Sequence, residues 1–272
     1  MKLLDGQELA GFVKERQAHQ VRALRQAWSV FPKLAIVRAG TDPVADSYIR
    51  RKQQYGADIL VDVEVHDVEQ SAALERIAML NADRSVHGII VQIPLPDPVE
   101  TDEILNAVNP AKDVDGLAEG TLFDPATPTA VNWLLAGYNV ELRGKRIVIV
   151  GQGRLVGRPL ARLWQNSGLD VAVADRHTGD LPALTQTADV LVSAAGVPGL
   201  ITKDMLKDDA VIVDAGVATD KNGLSGDVAP EARELPNITI TPEKGGVGPL
   251  TVCALFDNVI RAARRTAEDA PS

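Results

Sequence analysis

The stretch Arg146-Ile147-Val148-Ile149-Val150-Gly151-Gln152-Gly153-Arg154-Leu155-Val156-Gly157-Arg158-Pro159 reads as a strand, a glycine turn and the start of a helix. Its apolar residues follow one another without polar alternation, as in a parallel strand covered on both faces. The glycines are spaced G-x-G-x-x-x-G, one residue longer than the usual dinucleotide fingerprint. At such a junction, backbone N–H groups and the positive end of the helix dipole can receive a pyrophosphate. A glycine turn that only packs a helix on a strand is the competing reading of this loop taken alone. The candidate contacts are Gly151, Gln152, Gly153 and Gly157.

Downstream, Asp170 to Asp175 reads as the next strand. Its end is where a dinucleotide fold meets the adenosine ribose, and Asp175 and Arg176 stand there. An acid would hold ribose hydroxyls and favour NAD, whereas a guanidinium would hold the 2′-phosphate of NADP. Arg176 makes NADP the expected cofactor, with NAD still open. Ala188 to Gly196 and Ala210 to Gly216 read as two further buried strands. Each ends in small residues, as if backbone must approach a ligand closely, and Gly196 joins the cofactor set. Asn237 to Thr241 is a last strand before Gly245-Gly246-Val247-Gly248-Pro249-Leu250-Thr251, a loop moulded around something. A final helix from Pro249 to about Thr266 is expected to pack back on the first half of the chain.

Upstream, Leu34-Ala35-Ile36-Val37 reads as a buried strand ending at Gly40, followed by Thr41-Asp42-Pro43-Val44-Ala45-Asp46-Ser47-Tyr48-Ile49-Arg50-Arg51-Lys52. Asp42 then Pro43 is a helix start, a carboxylate for the free N–H groups and a proline at the first helical position. That helix places Tyr48 and Lys52 on one face, about one turn apart. Taken alone, the spacing favours a surface lysine beside a half-buried tyrosine. Gly88 to Pro96 is a second covered strand whose one polar side chain is Gln92, itself readable as an amide satisfied at a strand end. Lys112-Asp113-Val114-Asp115-Gly116 reads as a turn. Helices are expected over Leu9–Trp28, Gln70–Asn81, Thr101–Val108 and Thr129–Tyr138, and an edge strand over Asp62–His66. Leu117 to Pro128 looks like a domain linker.

The chain has 272 residues, more than one typical domain, and its 45% apolar and 24% charged composition is globular. A net charge of -9 with no long basic run argues against nucleic acid and anionic membranes as partners. The single cysteine, Cys253, excludes an internal disulfide and fits a reducing compartment. Charge interrupts the N-terminus too early for a signal peptide, and no apolar run approaches the ~20 residues of a membrane span. A cytoplasmic protein is expected. No metal-ligand cluster, internal repeat or serine-nucleophile elbow is present, and His19, His66, His87 and His177 read as scattered surface residues.

With these pieces in order, the chain resembles the bifunctional methylenetetrahydrofolate dehydrogenase/methenyltetrahydrofolate cyclohydrolase family, nearly end to end. The resemblance runs through Leu4-Asp5-Gly6, Gly40 to Pro43 with Tyr48 and Lys52, and Val86 to Pro96. It continues through Lys112 to Gly116, the Gly151 loop with Val156-Gly157-Arg158-Pro159, Gly226-Asp227-Val228, and Gly245 to Thr251. It implies an α/β fold of two domains: a folate-binding catalytic domain over 1–125 plus 252–272, and a Rossmann-type dinucleotide-binding domain over 126–251. The C-terminal helix returns to the first domain.

The resemblance also implies two reactions at one folate site. A hydride passes from 5,10-methylenetetrahydrofolate to NAD(P), and water then opens the methenyl cation to 10-formyltetrahydrofolate. Lys52 matches the family's catalytic lysine, Tyr48 its substrate-positioning tyrosine, Gln92 the glutamine that tunes the lysine, and Asp115 the aspartate that holds the pterin. Gly245, Gly246, Gly248 and Pro249 fall on the substrate side, and a homodimer is implied. The chain departs from the family at Gly153, usually serine, at Asp175, usually histidine, and at Ala126, commonly cysteine. Glu243-Lys244 replace a valine-proline pair, and the segment between Gly116 and Thr127 is short. Two alternatives stay open: a non-catalytic folate- or nucleotide-binding descendant, and another two-domain NAD(P) dehydrogenase, which would not need Lys52, Gln92 and Asp115 together.

Overall fold

The computed structural model describes residues 1–40, 42–220 and 223–268; Thr41, inside the expected helix start, lies outside the described residues. The first half runs β1 (Lys2–Leu3), α1 (Gly6–Trp28), β2 (Lys33–Ala39), α2 (Pro43–Ile59), β3 (Asp62–Val68), α3 (Ala73–Ala82), β4 (Gly88–Gln92) and α4 (Thr101–Asn106). Next come α5 (Ala126–Gly137), β5 (Ile147–Val150), α6 (Gly157–Asn166), β6 (Val171–Ala174), α7 (Leu181–Thr185) and β7 (Val190–Ser193). The chain ends with β8 (Val211–Asp214), β9 (Ala218–Asp220), β10 (Gly223–Ser225), β11 (Thr239–Ile240) and α8 (Val247–Glu268).

Two compact units share the chain: Met1–Ala10 with Thr127–Thr251, and Gly11–Ala126 with Val252–Ser272. The second of these holds a three-stranded parallel sheet in the order β3-β2-β4. Strand β2 is central because its apolar run is buried on both faces, while the alternating Asp62–Val68 takes an edge as expected. Ala35, Val37, Ile89 and Val91 meet Ile77, Leu80, Ile104 and Leu105 in one core cluster. Each such large side chain contributes roughly 1.5–3 kcal/mol on burial.

The C-terminal helix belongs to this unit from Val252 onward. Phe256 packs its ring 5.0 Å from that of Tyr55, and Asn258 donates to the carbonyls of Val114 and Asp124, both at 2.9 Å. The stretch read as a linker is therefore held down up to α5, with Ala118 and Phe123 buried. The helix starts at Val247, two residues before Pro249.

The other unit is built on a six-stranded sheet in the order β1-β11-β8-β7-β5-β6, parallel throughout. Chain order reverses at β5, which has β6 on one side and β7 on the other. The carboxyl end of β5 is thus the topological switch point where open α/β sheets bind ligands, and Gly151 follows it directly. In the three-stranded sheet β2 occupies the equivalent place, and α2 begins just beyond its end. The antiparallel β9–β10 ribbon is an addition that the apolar pattern does not foreshadow.

Candidate active site

Helix α2 is started as its sequence demands. Asp42 accepts from the Ala45 N–H through Oδ1 at 3.1 Å, and Pro43 opens the helix. Tyr48, Lys52 and Tyr55 follow at helical spacing along one face. Tyr55 is committed to the interior, donating to Gln17 Oε1 at 2.7 Å beside Cys253. Tyr48 is half-buried, with the Arg51 guanidinium 5.9 Å from its ring centre. Between them, Lys52 Nζ donates to Gln92 Oε1 at 3.0 Å.

The Gln92 amide is oriented by a second bond, from Nε2 to the Ile93 carbonyl at 3.0 Å, so its oxygen is the atom left facing the lysine. Both readings of this glutamine hold at once: it satisfies itself at the end of β4 and it engages Lys52. A neutral amide oxygen accepts from the lysine in either protonation state and supplies no full negative charge to hold the proton. Lys52 is only half-buried as a whole residue, but its amine lies among protein atoms, and those surroundings set its pKa. Burial lowers the pKa below the ordinary lysine value, and the charge of Asp115 opposes that shift. Burial likewise pushes the Asp115 carboxyl up to about 6, against the pull of Lys52 and with a push from Asp113.

The turn carrying Asp115 is built by its neighbours. Asp113, buried, accepts from the N–H groups of Gly116 at 3.2 Å and Ala118 at 2.9 Å. Lys112 Nζ donates to the carbonyls of Leu80, Asn81 and Asp83, which closes the end of α3. Gly116 has φ 71°, and a Cβ there would come within 2.8 Å of the Pro125 nitrogen. Within Lys112–Gly116, three positions shape the turn and Asp115 is presented by it.

In the other unit, Gly151 has φ 101°, and a Cβ would lie 2.5 Å from the Ala194 carbonyl oxygen. A Cβ on Gly157 would meet the Gly151 carbonyl oxygen at 1.9 Å. These two glycines let the turn and α6 pack. Gly153 has open space around it and Gln152 is exposed, so the rim of the cradle faces outward. Such a cradle fits a dinucleotide pyrophosphate.

At the end of β6, Asp175 is drawn into its own turn. Its Oδ1 accepts from the His177 N–H at 2.8 Å, and its Oδ2 faces Gln152 Nε2 at 3.4 Å. Arg176 is exposed, with Nε donating to His177 Nε2 at 3.2 Å. Gly196, φ 68°, sits beyond β7. Gly245 to Pro249 belong to this unit as well, where Gln7 N–H donates to the Gly245 carbonyl at 2.9 Å. A Cβ on Gly6 would meet the Gly246 oxygen at 1.8 Å, which explains the glycine of the Leu4-Asp5-Gly6 motif. Glu243 and Lys244 are exposed.

Two further features stand out. His87 is not a surface residue: it is 7% exposed, accepts from the Lys33 N–H through Nδ1 at 3.2 Å, and burial lowers its pKa to about 4. The apolar residues around Val86-His87-Gly88 already signal that burial. Asp214, Asp227, Ser193 and Arg233 form a buried polar network behind the Gly196 loop, and the sequence reading assigns them no role. Strand-end acids followed by glycine, in Asp214-Ala215-Gly216, are the signal that could have found it.

Residues 4–115 match the family described as tetrahydrofolate dehydrogenase/cyclohydrolase, catalytic domain, and residues 125–267 match its NAD(P)-binding domain. A bifunctional protein FolD from Thermus thermophilus is 42% identical over 275 residues, covering 96% of each chain. The crystal structure of the bifunctional FolD methylenetetrahydrofolate dehydrogenase/cyclohydrolase from Campylobacter jejuni superposes with a TM-score of 0.91 at 34% identity, covering 97% of this chain and 99% of that one. The Trypanosoma brucei enzyme complexed with NADP cofactor and inhibitor superposes with a TM-score of 0.91 at 29% identity, covering 98% of both. Together with a lysine–glutamine pair near a half-buried aspartate and a glycine cradle at a switch point, these matches show that the chain belongs to the tetrahydrofolate dehydrogenase/cyclohydrolase family.

Proposed function

We propose that Lys52 is the base of the hydrolytic reaction and that Gln92 and Asp115 set its state and its target. The protein oxidises 5,10-methylenetetrahydrofolate with NAD(P) and hydrolyses the methenyl product to 10-formyltetrahydrofolate. The observation that carries the assignment is the 3.0 Å Lys52–Gln92 bond, together with an amine whose pKa is lowered by burial.

Neutral Lys52 takes a proton from water as the water oxygen bonds to the methenyl carbon. The new hydroxyl loses its proton as the bond to N5 breaks, N5 gains one, and the formyl group stays on N10. The cationic substrate adds to the effect of burial, because a second positive charge disfavours lysinium. Asp115 accepts from the amino and ring N–H groups of the pterin, and Tyr48 covers the substrate on the same helical face as Lys52. Gly245, Gly246, Gly248 and Pro249 are assigned to the substrate side on the family resemblance.

Bound NAD(P) supplies the hydride acceptor. Gly151, Gln152, Gly153 and Gly157 hold its pyrophosphate, and Gly196 lets the chain approach the nicotinamide. NADP is favoured over NAD because Arg176 is exposed at the end of β6, while the Asp175 carboxylate is taken up by the His177 N–H. A homodimer in the cytoplasm completes the reading; the family resemblance supports the dimer, and the net charge of -9 is compatible with the compartment. Among the described residues no helix is long and apolar enough to cross a membrane.

One assay tests the reading: absorbance of the methenyl intermediate followed with NADP, with NAD and without nucleotide. Methenyl formation that needs nucleotide and is faster with NADP, with decay that needs none, is expected. Ligand binding without either reaction would contradict it.

A further inference from the structure

Behind Gly196 the structure holds a carboxylate that the reaction as described does not use. Asp227 is fully buried. Its Oδ2 accepts from the Ser193 hydroxyl and the Ala195 N–H, both at 2.7 Å, and its Oδ1 accepts from the Val197 N–H at 2.8 Å. The two backbone bonds flank Gly196, so a single side chain fixes the loop on both sides of it. The loop in turn packs on the cofactor cradle, since a Cβ on Gly151 would lie 2.5–2.8 Å from Ala194 and Ala195 backbone atoms.

Asp227 is itself held. Its N–H donates to Asp214 Oδ1 at 3.0 Å, and the Val228 N–H donates to Asp214 Oδ2 at 3.1 Å. Arg233 Nη2 donates to Asp214 Oδ2 at 2.6 Å, and its Nη1 to the Thr241 carbonyl at 2.8 Å. Room for the two carboxylates is made by two glycines. A Cβ on Gly216 would lie 2.1 Å from Asp227 Cγ, and one on Gly226 would lie 2.2 Å from Asp214 Oδ2.

Burying a carboxylate costs several kcal/mol unless its lone pairs are met, and hydrogen bonds from backbone N–H groups to a charged acceptor are among the strong ones. The loop end of the network adjoins Gly196, the residue assigned to the nicotinamide.

We propose that Asp227 is a positioning residue for hydride transfer, acting through the Ala195 and Val197 N–H groups to hold the Gly196 loop in register with the Gly151 cradle. The inference rests on the assignment of Gly196 to the nicotinamide. The pyrophosphate and ribose are held elsewhere, at Gly151 to Gly157 and at Asp175–Arg176. Loss of Asp227 therefore disturbs alignment more than binding. The cyclohydrolase reaction, which uses no hydride acceptor, is spared.

The test compares Asp227→Asn and Ser193→Ala with the native enzyme in both reactions, each with a thermal melt. An asparagine at 227 turns an N–H₂ toward one of the two backbone N–H groups, donor against donor, and breaks that bond. For Asp227→Asn, kcat for oxidation is expected to fall at least ~30-fold, the KM for NADP to rise less than ~5-fold, and methenyl hydrolysis to stay within ~3-fold of native. Ser193→Ala removes one of the three bonds that orient the Asp227 carboxylate and so loosens its hold on the two loop N–H groups; a ~3- to 10-fold loss of oxidation with hydrolysis unchanged is expected. If Asp227→Asn does not fold, Ser193→Ala alone decides. Native-like oxidation in the folded variants, or equal loss of both reactions, would overturn the proposal while leaving the functional reading intact. A native enzyme without NADP-dependent oxidation would overturn the reading itself, and the proposal with it.

Discussion

Gln92 Oε1 stands 3.0 Å from Lys52 Nζ, and the other end of the same amide is spent on the Ile93 carbonyl. A glutamine fixed in this way gives the amine a partner without giving it a counter-charge. Burial lowers the pKa of that amine, which is the direction the proposed base requires.

Gln92→Glu tests this point by adding the missing charge. A carboxylate at hydrogen-bond distance favours lysinium and raises the Lys52 pKa, so less free base is present at neutral pH. The rising limb of the cyclohydrolase pH–rate profile is expected to move to higher pH by about one unit or more, with a slower rate at pH 7. An unmoved profile would show that the amide's neutrality is irrelevant.

Asp115 carries a stability consequence with a definite sign. Its pKa rises from 3.8 to about 6 on folding, so the native state binds more protons than the unfolded chain between those values. Stability is therefore lost as pH rises through that window, by at most about 3 kcal/mol. Asp115→Asn, which stays neutral, is expected to raise the Tm at pH 7.5 and to change it little at pH 4, while weakening folate binding. Equal Tm changes at both pH values would contradict the assignment.

For the cofactor, Arg176→Ala is expected to raise the KM for NADP about 10-fold or more and to leave that for NAD within about 3-fold. The Asp175 carboxylate accepts from the His177 N–H, while the Arg176 guanidinium donates to the His177 ring. A native preference for NAD, or equal effects on both cofactors, would make Asp175 the ribose reader.

The parts of the chain governed by local rules are legible in its sequence. Ile147 to Val150 has no polar alternation because both faces are covered, and Asp42-Pro43 starts a helix because those two residues satisfy its free N–H groups in advance. Lys52, Gln92 and Asp115 are harder: they lie 40 and 23 positions apart in sequence, and only the resemblance links them before the β2–β4 pairing is known. The polar network on Asp227 is less legible still. It depends on side chains from β7, β8 and the Arg233 segment meeting in space, and its residues look like ordinary turn acids one at a time. The strand Lys2–Leu3 is too short to show a period, so its pairing with Thr239–Ile240 leaves no local trace. His87 misleads because histidine is polar, while its neighbours on both sides are core.

The central claim is that Lys52 is the base for hydrolysis, and Lys52→Met tests it most directly. Methionine keeps most of the aliphatic stem and removes the amine, so the α2 face and folate binding should persist. General-base help is typically worth ~100- to 10,000-fold. Methenyl hydrolysis, followed as the decay of methenyl absorbance without nucleotide, is expected to drop by about that factor to near background, with NADP-dependent oxidation partly retained. Hydrolysis by the folded Met variant at close to the native rate would contradict the account.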